Sequence, residues 1–154
     1  LGTVLVDLGK GVLAVWLAQR FGGGVAWLPY AAAGAAVLGH VWPVFHGFRG
    51  GKGAGTLVGA LLLLWPPAVA VVIGTWLLVL TATGYVGLST ILAGVALVPL
   101  ALLTDAPVER LVFALAAAAF LVFTHRSNLA RLRAGTESRF ERVRIWARLR
   151  GSRA

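Results

Sequence analysis

Six apolar stretches run along the chain, at positions 3–18, 27–45, 54–65, 67–83, 88–103 and 111–124. Each is apolar around its whole circumference. Helical periodicity therefore does not separate a core face from a lipid face, as expected for helices in hydrocarbon. A straight bilayer crossing needs about 20 residues, with a lower limit of about 17. Most of the stretches reach or nearly reach that length. The third is too short to cross alone, and is expected to be tilted, re-entrant or extended by its glycine-rich lead-in. Breaks fall at Phe21-Gly22-Gly23-Gly24, at 47–55, at Pro66-Pro67, at 83–89 and at Thr104-Asp105-Ala106-Pro107. Glycine and proline stop or start helices at such places. The pattern predicts an all-α polytopic membrane bundle of about six transmembrane or re-entrant helices.

Composition sharpens that picture. Of the 154 residues, 59% are hydrophobic, 20 are glycine and 12% are charged. Too few charges are present to cover a soluble fold, and the hydrophobicity is too high for disorder. Without cysteine, disulfide scaffolds and Cys-ligated metal sites are excluded. The net charge of +9 is uneven. From Arg126 onward nine arginines and two glutamates leave +7 in the tail, and about +2 in the first 125 residues. Residues 1–140 read as one membrane domain and 141–154 as a basic tail. No aromatic or RNA-recognition pattern accompanies the charge, so no nucleic-acid partner is expected.

The positive-inside rule then orients the chain. With the tail in the cytoplasm and six crossings, the N-terminus and the loops at 45–53 and 83–89 also lie inside. The opposite loops hold only Arg20 and Arg110, beside Asp105 and Glu109. No cleavable signal peptide is expected at 1–18, which carries Asp7 and Lys10.

Polar residues in such a chain are costly unless satisfied, and so mark candidate sites. The densest run is Gly39 to Thr56. It places five glycines within 47–55, together with Arg49 and Lys52, immediately before a helix. Glycines let backbone N–H groups converge, and a helix N-terminus adds positive potential. Arg49, Gly50, Gly51, Lys52 and Gly53 therefore read as an anion cradle suited to phosphate. The segment is not a Walker A loop, whose first glycine would fall at His46 and whose Ser/Thr would fall at Gly53. The spacings Gly51-x-x-x-Gly55 and Gly55-x-x-x-Gly59 support a second reading, close helix packing. Both readings stay open. His40, in an apolar helix, is either a structural histidine or a site residue. Asp7 and Lys10 share a helix face and can pair.

A second polar run is Thr124-His125-Arg126-Ser127-Asn128, followed by Arg131 and Gly135-Thr136-Glu137. Arginines alone would suit an anchor in anionic lipid. His125 and Asn128 fit that role poorly. Glu137 can orient an arginine or bind a substrate hydroxyl. Ser89 and Thr90 offer hydroxyls at a helix start. No Ser–His–Asp assembly is suggested, and no histidine is followed five residues later by aspartate.

These segments resemble the bacterial acyl-phosphate–glycerol-3-phosphate acyltransferases. The match lies in Gly39-His-x-x-Pro-x-Phe-x-x-Phe-x-Gly-Gly-Lys-Gly53, in Asp7-x-x-Lys10-Gly11, in the segment from Tyr85 to Ile91, and in His125 to Asn128 with Arg131, Gly135, Glu137 and Phe140. It implies a multi-pass enzyme of the bacterial plasma (inner) membrane whose site faces the cytoplasm. Such an enzyme moves a fatty acyl group from acyl phosphate to the 1-hydroxyl of glycerol 3-phosphate. Lysophosphatidic acid and phosphate result, at the start of phospholipid synthesis.

The resemblance implies no cofactor and no metal. Expected partners are acyl phosphate, glycerol 3-phosphate and membrane lipid. His125, Asn128 and Glu137 are expected to be catalytic. His40, Arg49, Gly50, Gly51, Lys52, Gly53, Ser89, Thr90 and Arg126 are expected to bind substrate. Two departures stand out. The family's first helix and its Ser-Gly-Asn loop are expected to be missing from this chain. Gly87 stands where the family has serine, with Ser89 as a possible substitute hydroxyl. The alternative is an inactive or truncated membrane protein that keeps the loop to bind phosphate or lipid.

Overall fold

The computed structural model describes residues 2–143, apart from the side chain of Arg142. Its elements are helical: α1 (Gly2–Phe21), α2 (Leu28–Val41), α3 (Ala54–Leu64), α4 (Pro66–Thr83), α5 (Val86–Val95), α6 (Leu97–Leu103), α7 (Val108–Thr124) and α8 (Arg126–Arg133). Short 3-10 turns follow at Val44–His46 and Glu141–Val143.

Local chemistry sets these boundaries. Proline stands at the second position of α2 and the first of α4, where its missing N–H costs nothing. Gly84 ends α4 in the left-handed region at φ 79°. Residues 88–103 read as one stretch in the sequence, but the helix is interrupted at Ala96. Pro99 explains the interruption, because it has no N–H to donate to Val95 O and its ring crowds that carbonyl.

Four spans are long and apolar enough to cross a membrane: Gly2–Phe21, Leu28–His46, Pro66–Thr83 and Val86–Leu103. α7 and α8 form a fifth candidate, bent by 56°. Helix α3 has 11 residues and rises only about 16 Å. It does not face lipid all round. Thr56, Leu57, Gly59, Ala60, Leu61 and Leu64 are all buried, so the short helix forms the centre of the bundle.

Close approach of α1 to α3 depends on missing side chains. A Cβ on Gly59 would lie 2.0 Å from Leu8 O, and one on Gly11 would lie 2.1 Å from Thr56 O. The packing reading therefore holds at Gly59, where the two backbones touch. The core continues through Val15, Ala33, Leu61, Leu97, Ala114 and Leu121.

This packing sorts the polar loops to one end of the bundle. His40 meets Asp7, Gly51 meets His40, Thr124 reaches Lys52 O, and Phe140 N–H donates to Gly84 O at 2.8 Å. At the other end, Arg110 stacks on Trp65 and Tyr30 packs on Phe113.

Candidate functional site

The glycine loop leaves α2 through Pro43 and the turn at Val44–His46, then enters α3 through Gly53. Gly53 is the N-cap at φ 86°, a left-handed angle that favours glycine. A Cβ there would also press on Val37 at 2.8 Å. The loop is tied to α7, because Thr124 Oγ1 donates to Lys52 O at 3.1 Å. With its carbonyl held, Lys52 sends its ammonium to the Asn128 side-chain oxygen.

Asn128 lies in α8 and is positioned from two sides. Its Nδ2 donates to Glu137 Oε1 at 2.6 Å. Its side chain also lies directly on Gly87, where a Cβ would be 2.6 Å from Nδ2 and 2.7 Å from Asn128 Cβ. Glu137 uses its second oxygen to accept from Arg131 Nε at 2.6 Å. The Asn128 hydrogen bond, followed by Arg131 and Lys52, holds the Glu137 carboxyl below the usual range, although its burial acts the other way. Glu137 is therefore a carboxylate held between an amide and a guanidinium.

His125 sits at the bend between α7 and α8 and is 4% exposed. Its Nδ1 lies 2.9 Å from Leu121 O. A carbonyl can only accept, so Nδ1 carries the proton and Nε2 remains for another partner. The sequence spacing suggested that His125 and Asn128 share one face of a regular helix. The bend corrects this: His125 lies outside both helices, with φ −100° and ψ 13°. Neither residue points away from the bundle, since His125 is buried and Asn128 holds Lys52.

The remaining expected residues are placed as follows. Arg49 is exposed in the loop, and Gly50 and Gly51 lie against the end of α2. His40 Nδ1 is 3.2 Å from Asp7 Oδ1. Arg126 stacks on Phe123 at 4.5 Å and donates to Phe123 O at 3.1 Å. Ser89 is fully buried and donates to Tyr85 O at 2.7 Å. That hydroxyl is spent inside α5 and does not replace the one missing at Gly87. Thr90 accepts from Trp76 Nε1 at 3.2 Å and donates to Val86 O at 3.0 Å.

Three participants were not singled out as site residues in the sequence: Asp7, Thr124 and Arg131. Arg131 lies six residues before Glu137 across the Gly135 turn, with Arg133 nearer in sequence, so spacing alone does not single it out. Among the described residues, no three His, Asp or Glu gather as a metal site would require. The expected tail is described only as far as Val143; residues 144–154 lie outside the described residues.

The likeness to known proteins spans these segments. Residues 1–135 match the glycerol-3-phosphate acyltransferase family. A relative of that name from Symbiobacterium thermophilum is 41% identical over 137 residues, covering 89% of this chain and 68% of the relative. One from Azotobacter vinelandii is 43% identical over 141 residues, covering 90% and 71%. The crystal structures of PlsY, an integral membrane glycerol 3-phosphate acyltransferase, were solved in lysophosphatidic acid and glycerol 3-phosphate forms. Both superpose with a TM-score of 0.82 at 33% identity; the first covers 89% of this chain and 70% of PlsY. With the match extending through the glycine loop and the His125–Asn128 segment, the chain belongs to the glycerol-3-phosphate acyltransferase family.

Proposed function

We propose that the chain transfers a fatty acyl group from acyl phosphate to the 1-hydroxyl of glycerol 3-phosphate, releasing lysophosphatidic acid and inorganic phosphate. The observation that carries this reading is the Lys52–Asn128 contact. It joins the glycine loop to the C-terminal motif across 76 residues of sequence. Family membership does not favour the alternative of a membrane protein that only binds phosphate.

The chemistry suits the residues. An acyl phosphate is a mixed anhydride and is already activated, so no protein nucleophile is needed. The hydroxyl oxygen attacks the acyl carbonyl carbon, and the bond from that carbon to the phosphate oxygen breaks. The departing phosphate takes the hydroxyl proton. What the protein supplies is position and positive charge. Lys52, Arg49 and the N–H groups of Gly50–Gly53 hold phosphate. Asn128 and His125 Nε2 contact the reacting groups. Glu137 keeps Asn128 and Arg131 aimed, and His40 and Arg126 flank the substrate.

The site faces the cytoplasm of a bacterial inner membrane in this reading. Arg49, Lys52, Arg126, Arg131 and Arg139 gather at one end, while Arg110 lies at the other. Glycerol 3-phosphate, an ion, would reach the site from the aqueous side. The acyl donor would enter from the lipid.

Two experiments test the proposal. In proteoliposomes, lysophosphatidic acid should form from acyl phosphate with glycerol 3-phosphate and not from acyl-CoA. Equal use of acyl-CoA would overturn the donor assignment. For the facing, the chain lacks cysteine and Ser127 is exposed. A Ser127→Cys variant should label with a membrane-impermeant maleimide only from the cytoplasmic side; labelling from the outside would reverse the topology.

A further inference from the structure

Asp7 takes no part in the reaction above, yet it begins a chain of contacts that runs through His40 to Gly51. Asp7 Oδ1 lies 3.2 Å from His40 Nδ1 and 3.2 Å from Lys10 Nζ. The imidazole is 12% exposed and the carboxylate 20%, so both are largely withdrawn from water. Asp7 also sits where α1 meets the start of α3, because a Cβ on Gly55 would be 3.3 Å from its Cβ. The acid thus touches the element that follows the loop, and it grips a ring from the element that precedes it.

The far edge of that ring supports the loop. A Cβ on Gly51 would fall 2.1 Å from His40 Nε2 and 2.9 Å from Cε1. One residue earlier, Gly50 lies flat on the end of α2. Its N–H donates to Val41 O at 3.1 Å, and a Cβ there would be 1.9 Å from His40 O. Positive φ is not the reason for glycine at either place, since the loop's positive angles are held by Gly47, Phe48 and Gly53. Space is the reason: the backbone of 50–51 rests on His40 with nothing between. Lys52 follows at once. The ring therefore sets where the lysine side chain begins, and with it where the ammonium arrives.

An imidazole in an apolar helix has several staggered positions to choose from. A carboxylate at Nδ1 selects one of them and fixes the ring plane, as second partners do for functional histidines elsewhere. Lys10 offsets part of the cost of withdrawing the Asp7 charge from water.

We propose that Asp7 and His40 are positioning residues for the phosphate loop. The carboxylate fixes the imidazole, and the imidazole sets the level at which Gly51 presents Lys52 to the site. This rests on the acyl-transfer reading of the loop. Neither residue is required to touch substrate.

Two mutant cycles in the reconstituted chain test it, read as kcat/KM with the melting temperature alongside. They are read again as affinity for glycerol 3-phosphate by titration calorimetry, which does not depend on the donor. Misplacing a loop by about 1 Å can cost about 100-fold. Gly51→Ala should therefore lose about 100-fold, and His40→Ala about tenfold. Because the three atoms nearest the new methyl all belong to the ring, the double variant should recover to about the His40→Ala level, a coupling expected only of groups in contact.

In the second cycle, the near-isosteric Asp7→Asn should cost about fivefold alone and less than about twofold in the His40→Ala background. A purely structural role would lower the melting temperature and leave these factors multiplying. Multiplying factors in either cycle overturn the positioning role. Lys52→Ala is the reference: if it matches wild type, the reading of the loop fails, whereas its loss together with multiplying cycles removes only this inference.

Discussion

The glycine loop has two unlike flanks. Towards α1 and α2 it is held by shape: Gly50 and Gly51 press on His40, Gly59 presses on Leu8 and Gly11 on Thr56. Towards α7, α8 and the tail it is held by charge and hydrogen bonds: Lys52 to Asn128, Asn128 to Glu137, Glu137 to Arg131. The first flank is backbone against backbone and ring, with few degrees of freedom. The second is built from long side chains, of which Lys52 and Arg131 are exposed. The difference teaches how the proposed phosphate site is built. A rigid side fixes the backbone donors, and a solvated side supplies charge that can rearrange when an anion enters.

The largest effect should come from breaking the shape flank. Gly59→Leu forces a Cβ to within 2.0 Å of Leu8 O, where only backbone movement can relieve the overlap. Overpacking of this kind costs about 3 kcal/mol. Thermal unfolding in detergent should show a large fall in melting temperature, and activity should fall with it. An unchanged melting point would mean that the helices can separate freely.

Lys52→Ala should behave in the opposite way. Removing one charge-assisted contact costs roughly 1.5–3 kcal/mol, or about 10–150-fold in kcat/KM. The melting temperature should stay within a few degrees. Steady-state kinetics with a parallel melt separates the two flanks directly. A lower melting point with unaltered kcat/KM would place Lys52 on the structural side.

A smaller effect is expected at Gly87, which packs on Asn128. Gly87→Ala puts a methyl 2.6 Å from Asn128 Nδ2 and pushes the amide away from Lys52. A loss of about tenfold in kcat/KM should follow, and combining it with Lys52→Ala should add little further loss, since both break one contact. Full additivity would separate Gly87 from the Lys52 contact.

The smallest effect concerns Glu137. Its folded carboxyl titrates below the ordinary range, so its contribution to stability is present above that range. It is lost only as pH falls through the lowered value. Melting curves of wild type and Glu137→Gln should differ at pH 7 by a constant amount, which shrinks only below the ordinary carboxylate range. A difference that closed near pH 6 would contradict the assignment.

Much of this was legible from residue order. Pro66, Gly84 and Pro107 mark helix ends because proline and left-handed glycine act locally. Lys52 and Asn128 were visible as site residues through the resemblance. What escaped the sequence depends on neighbours far along the chain. Asp7 has an obvious local partner in Lys10, three residues on, and nothing local points across to His40 on the next helix. The regular spacing from His125 to Asn128 hid the 56° bend between α7 and α8. Uniformly apolar helices also give no moment from which to rank faces, so the central burial of α3 could not be read from its composition.

The hydrogen bond from Phe140 to Gly84 and the stacking of Arg139 on Tyr85 have a consequence for biosynthesis. Chains enter the membrane from the N-terminal end, and domains assemble as they emerge. The apolar helices and the glycine loop are therefore made before Glu137, Arg139 and Phe140 leave the ribosome. Until those residues arrive, Asn128 lacks its carboxylate partner and the α4–α5 turn lacks its tether. Chains released after residue 134 would hold every span and still not bind glycerol 3-phosphate as tightly as chains released after residue 143. The order of synthesis thus withholds the Asn128–Glu137 and Phe140–Gly84 contacts until the apolar helices have been made.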